Sequence, residues 1–132
     1  MEKRAFKKGA IICNEGYQGD EMYVVLKGSV NVFKTVNEEK IHLSTLHRND
    51  FFGELRLLLG LSRTASVEAA EDTEVMVIHR NEFLNKVQKN PKFAVKMLTV
   101  MAKRLIEAHQ VISRLEGEKM SLEIMYKSMK KN

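Results

Sequence analysis

A chain of 132 residues, 44% hydrophobic and 30% charged with a single proline, has room for one ordinary core but not for two comfortable domains, and its composition excludes disordered, collagen-like and low-complexity classes. The formal charge of +5 is unevenly placed: residues 1–85 carry eleven Lys/Arg against thirteen Asp/Glu and residues 86–132 eleven against four, so the two parts stand at −2 and +7. No apolar run approaches the roughly 20 residues that span a bilayer, and the start Met-Glu-Lys-Arg-Ala-Phe lacks the apolar stretch of a secretory signal, so a soluble, cytoplasmic protein without membrane contact is expected.

From Phe6 to Ile78 the hydrophobic pattern is short and two-periodic. Ala10–Ile12, Tyr23–Leu26, Ser29–Phe33, Ile41–Leu46, Ala65–Val67 and Glu74–Ile78 read as strands rich in β-branched residues. Glycine and polar residues punctuate them at Asn14-Glu15-Gly16, Gly19-Asp20, Lys27-Gly28, Asn37-Glu38-Glu39 and Arg48-Asn49-Asp50. Strands and turns spaced in this way predict an antiparallel barrel or sandwich. Cys13 is the single cysteine and forms no internal disulfide; it reads either as a small core or surface residue or as a reactive thiol.

Between the fourth and fifth of these strands, Gly53 and Glu54 stand ahead of a short apolar helical stretch, with Arg63 nine residues after Glu54. Glycine lets the backbone approach an anion, the first N–H groups of a helix beginning near Glu54 lack partners, and a guanidinium returns two donors to the same place. This outlines a clamp for phosphate and ribose. Glu54 repels phosphate and suits a sugar hydroxyl better; the competing reading is a structural ion pair between Glu54 and Arg63.

At Asn81 the period turns helical, and Pro91 is placed to open a second helix after a break. Stepping three and four residues from Leu98 gives Met101, Leu105, Ala108, Ile112, Leu115, Lys119, Leu122, Tyr126 and Met129, with only Lys119 charged. This seam predicts a two-stranded coiled coil and a parallel homodimer through residues 98–129. A single amphipathic helix docked on its own core is the alternative, because Val95, Val111 and Met125 widen the stripe. Gly117 weakens the helix by roughly 1 kcal/mol relative to alanine, so bending or fraying is expected to begin there.

His42, His47, His79 and His109 have no ligand spacing with one another or with Cys13, and no nucleophile is matched with a base. Neither an enzyme nor a metal site is expected. The basic tail reads as a solvated helix face or as a contact for DNA or another polyanion, and a regulator fragment with a degenerate nucleotide pocket is the alternative function.

Several motifs stand in register: Phe6-x-x-Gly9-x-x-Ile12-x-x-x-Gly16-x-x-Gly19-Asp20-x-x-Tyr23-x-x-x-x-Gly28-x-Val30-x-Val32, then Asp50-Phe-Phe-Gly-Glu-Leu55 and Arg63-Thr-Ala-Ser-Val67, then Val75-x-x-Ile78-x-Arg80-x-Glu82-Phe83 and Ala102-Lys-Arg-Leu105. In this order they resemble the cyclic nucleotide-binding domain of catabolite-activator-type (Crp/Fnr-like) regulators, kinase regulatory subunits and cyclic-nucleotide-gated channels, from about Phe6 to Leu115. The resemblance implies a mainly β fold with helices, a jelly-roll-like β-barrel followed by a long C-terminal dimerisation helix. It places a cyclic nucleotide-binding domain at 1–115, with its β-roll at about 6–79 and helices from about 81, and a long helix at 93–131. The implied function is an allosteric sensor of cAMP, with cGMP open, and the nucleotide is its ligand with no further cofactor.

By the same resemblance, Gly53 and the cassette N–H groups through Leu55 hold the cyclic phosphate, Arg63 neutralises it and Glu54 accepts the ribose 2′-hydroxyl. Thr64 reaches phosphate or a purine amino group, or is a plain strand residue. Matching the register of the base-reading hydroxyls gives Ala108 and His109; neither is a hydroxyl, and His109 either stacks on the purine or is solvated, with Ser113 one turn further on. Arg56 occupies a usually small position, where it either crowds the phosphate or points to solvent, and solvent is the expectation. Ser62 replaces a frequent proline and loosens the loop. The chain stops at Asn132 without the winged helix-turn-helix of catabolite-activator-type proteins, so it is expected to be a stand-alone sensor acting on a separate effector protein, or a piece of a larger regulator.

Overall fold

The computed structural model describes residues 1–130 and divides into two compact units, Met1–Asn85 and the chain from Lys86 on. The first unit holds eight strands: β1 (Glu2–Phe6), β2 (Ile11–Cys13), β3 (Glu21–Lys27), β4 (Val30–Val36), β5 (Glu39–Leu46), β6 (Phe51–Phe52), β7 (Ser66–Ala69) and β8 (Thr73–His79). A short helix, α1 (Glu54–Leu59), separates β6 from β7, and α2 (Arg80–Lys89) begins directly after β8. The strands form two four-stranded sheets, ordered β1-β8-β3-β6 and β2-β7-β4-β5, with every pair antiparallel.

The jelly-roll-like architecture is as expected, but the sheets do not close into one hydrogen-bonded barrel. β2 has three residues and β6 two, too few to carry pairing from one sheet into the other. β1 and Ala65 also correct the strand boundaries: β1 begins at Glu2 and ends at Phe6, and β7 begins at Ser66.

Alternation decides the core. Tyr23, Val25, Phe52, Val75 and Val77 from one sheet meet Cys13, Val30 and Val67 from the other in a single buried cluster. Met22 and Ile78, which pair across β3 and β8 and face the other way, are also buried, so β3 is covered on both faces. α1 packs on β3 and buries Leu57. The strands are joined by turns of the expected chemistry: Asn37 and Glu38 take φ +51° and +67° in the two-residue β4–β5 hairpin. At the far end, the Thr73 hydroxyl donates to the carbonyls of Ser29 and Glu71, tying the β7–β8 turn to the β3–β4 turn.

In the second unit the last turn of α2 gives way at Asn90 to α3 (Pro91–Lys130), with Pro91 at the first helical position, where its missing N–H costs nothing. Lys86 Nζ lies 4.6 Å over the Phe93 ring and braces this junction. α3 runs unbroken through Gly117; residue 131 of the expected helix lies outside the described residues. Along α3, Leu105, Ile112, Leu115, Leu122, Tyr126 and Met129 are all exposed in the single chain. Among the described residues no helix is long and apolar enough to cross a membrane.

Candidate functional site

β6 delivers the chain to Gly53, which caps the N-terminus of α1 at φ +85° and, as a glycine, makes no side-chain cap hydrogen bond. That left-handed turn is open only to a residue without a Cβ: one built there would lie 2.5 Å from Arg63 Nη1 and 3.1 Å from Glu21 O. Glu54, half-buried, is the first residue of α1, and Leu55 follows it, exposed. Gly60 ends the helix at φ +70°, donating its N–H to Arg56 O at 2.9 Å.

Arg63 returns the chain to this turn. Its main chain is clipped to the β2–β3 loop, with Gly16 N–H donating to Arg63 O at 2.8 Å and Arg63 N–H donating to Tyr17 O at 3.1 Å. The side chain is only 8% exposed, a burial rare for arginine unless its donors are engaged. Nη1 donates to Gly53 O at 3.0 Å and Nη2 to Glu21 O at 2.8 Å, while Cζ sits 5.9 Å from the Tyr23 ring centroid. Both of these donors go to backbone carbonyls and not to a carboxylate. The guanidinium is a buried cation resting on neutral carbonyls beside an uncapped helix start, an arrangement that favours an anion.

The floor of the site is Tyr23, stacked on Phe52 with centroids 4.9 Å apart. Its hydroxyl donates to Glu21 Oε1 at 2.7 Å; burial first, and then this bond to a carboxylate, push the phenol well above its ordinary range. Burial likewise raises the Cys13 thiol, with the nearby Arg63 charge pulling the other way, so Cys13 behaves as a core residue and not as a reactive thiolate.

Gly53, Glu54, Leu55 and Arg63 are therefore brought together, and Thr64 follows Arg63 as an exposed residue just before β7. His109 lies in the second unit, exposed on α3. Arg56 corrects the expectation of a solvent-facing side chain. It is 18% exposed and turned back onto the loop before β3, because unsatisfied carbonyls at Gly19 and Gly60 lie within its reach. Glu21, Tyr23 and the absence of a side chain at Gly19 were not singled out in the sequence as parts of the site. Gly19-Asp20 ahead of a strand was the available signal, since a Cβ at Gly19 would stand 3.2 Å from Arg63 Nη2. Among the described residues no group of three or more His, Cys, Asp or Glu side chains is placed to hold a metal ion.

The sequence model of the cyclic nucleotide-binding domain matches residues 3–90. The Cyclic AMP receptor protein of Thermus thermophilus is 30% identical over 131 residues, 98% of this chain and 61% of that protein. The crystal structure of Thermus thermophilus Catabolite Activator Protein matches with a TM-score of 0.79 at 31% identity, over 87% of this chain and 55% of that one. The cAMP-bound form of the EAL enzyme Bd1971 matches with a TM-score of 0.63 at 32% identity, over 85% of this chain and 30% of that one. The chain thus spans about three fifths of the length of the Thermus receptor protein. Strands β2 to β8 with Gly53 and Arg63 fall within the matched span, and the chain belongs to the cyclic nucleotide-binding domain family, similar to its catabolite-activator-type members.

Proposed function

We propose that this chain is a cyclic-nucleotide-binding regulatory module and not an enzyme, taking cAMP in preference to cGMP. The observation that carries this reading is Arg63: a buried guanidinium whose donors rest on backbone carbonyls, one of them that of the glycine that opens α1. A cyclic phosphate replaces those neutral acceptors with charged ones, taking Arg63 on one side and the cassette N–H groups of Gly53 to Leu55 on the other. Glu54 accepts the ribose 2′-hydroxyl, Thr64 lies at the phosphate edge, and His109 is assigned to the purine. The names of the Thermus receptor and of the cAMP-bound enzyme form support the ligand class.

The output is the long helix. Ligand engagement at the cassette biases two arrangements of α3 through differential affinity, in a homodimer joined along residues 98–129. Supporting this, the seam residues Leu105, Ile112, Leu115 and Leu122 are more than half exposed in the single chain, an apolar line interrupted at Lys119 that a second copy would bury. Sedimentation should show a dimer at tens of micromolar, with the double change Ile112→Asp and Leu115→Asp yielding a monomer; wild-type chain sedimenting as a monomer removes the dimer.

Calorimetric titration tests the ligand. One cAMP should bind per chain, cGMP should bind more weakly, and the melting temperature should rise with ligand concentration. No heat and no thermal shift at millimolar cAMP, with duplex DNA bound in a steeply salt-dependent way, would instead favour the polyanion reading that the +7 charge of residues 86–132 keeps open.

A further inference from the structure

Arg56 is the third residue of α1, and its side chain leaves the helix to join two segments that are far apart in the chain. Nε donates to Gly19 O at 3.3 Å, Nη1 donates to Gly60 O, and Nη2 lies 3.8 Å from Asp20 Oδ1. Gly60 is the C-cap of α1, while Gly19 and Asp20 end the loop that leads into β3. Arg63 joins the same two segments at the other end of the helix, from Gly53 O at the N-cap to Glu21 O at the start of β3. Two arginines therefore cross-link α1 to the β2–β3 connection in parallel, one at each end of a six-residue helix.

The two links are not equivalent. A phosphate arriving at Gly53 competes for the Arg63 donors and draws them from their carbonyls, which opens the N-terminal link as the ligand binds. The link through Arg56 uses carbonyls at the opposite end of α1 and does not have to open. We propose that Arg56 is a positioning residue: it keeps α1 fastened to the β2–β3 loop when Arg63 is handed to the ligand, so that the cassette N–H groups and the wall behind Arg63 hold their spacing. The proposal rests on reading the cassette as the nucleotide site. Only a guanidinium serves here, because its fork reaches two acceptors in fixed directions, whereas a lysine ammonium is a single point on a flexible stem. Without the link, α1 and the loop fluctuate separately, and their ordering is deferred to the binding step, which lowers affinity.

Arg56→Ala and Arg56→Lys in the full chain test this. In the nucleotide-free protein, both variants should exchange amide hydrogens faster in residues 17–21 and in residues 54–60, together. Both should bind cAMP about three- to tenfold more weakly, mainly through faster release. Unchanged exchange in either segment, or wild-type affinity in the Arg56→Lys variant, overturns the proposal, since the latter would mean that charge alone is needed. Should the wild-type chain take up no cAMP, the nucleotide reading fails, while the exchange measurement still decides whether Arg56 makes the link.

Discussion

Replacing Arg63 by alanine should weaken cAMP binding by roughly a hundredfold, because the charge-assisted contact between a guanidinium and a phosphate is lost, a contribution of about 1.5–3 kcal/mol net. The effect is visible as lost thermal protection. At a cAMP concentration about a thousand times the wild-type Kd, the ligand stabilises the native chain by about 4 kcal/mol, and a hundredfold weaker site retains only about 1.4 kcal/mol of that. Stability without ligand should move far less. The change strips donors from Gly53 O and Glu21 O, but it also removes a buried cation held by neutral carbonyls, and the two effects oppose each other. Calorimetric titration with parallel melting curves checks both halves; an undiminished nucleotide-dependent shift would rule out the assigned role of Arg63.

Gly53→Ala should damage both the fold and the site. At φ +85° an alanine is placed in the left-handed region, which alone costs roughly 1–2 kcal/mol. Its Cβ would also stand 2.5 Å from Arg63 Nη1 and 3.1 Å from Glu21 O. The guanidinium can swing aside, but the strand carbonyl cannot, so a total loss of about 2–3 kcal/mol and about 10 °C in melting temperature is expected. The displaced Arg63 then no longer faces the cassette, and cAMP affinity should fall about as far as in Arg63→Ala. Combining the two changes should cost less stability than their sum, because truncating Arg63 removes part of the clash. Strict additivity in urea melts would show that Gly53 and Arg63 do not press on one another.

Residue type alone exposed much of the candidate site. A glycine, an acid and an arginine around a short apolar stretch are legible because few other residues can stand at a left-handed turn or neutralise a phosphate. The strands with clear alternation, from Tyr23–Leu26 to Glu74–Ile78, are legible because period two is the geometry of the strand itself. β1 is not, since Glu2-Lys3-Arg4 has no apolar alternation and is a strand only because β8 offers it an edge to pair with; charge on such edges is common. β6, with two residues, is too short to show any period. Gly117 shows the other limit of local propensity: a weakness of about 1 kcal/mol does not interrupt a 40-residue helix whose turns propagate cooperatively.

From its amino acids alone this protein is an antiparallel β domain with a candidate anion clamp and a long apolar-striped helix, because alternation, left-handed glycine and charge are properties of single residues and their nearest neighbours. What only the tertiary structure decided is which groups those residues meet. Arg56 finds Gly19 O from 37 positions away and Arg63 finds Glu21 O from 42, so a side chain expected in solvent became a cross-link and a strand carbonyl became part of the site. Tyr23 lies beneath the guanidinium for the same reason. Partners so distant in the chain are set by how the sheets pack and by which carbonyls the strands leave unpaired, and no local pattern encodes that.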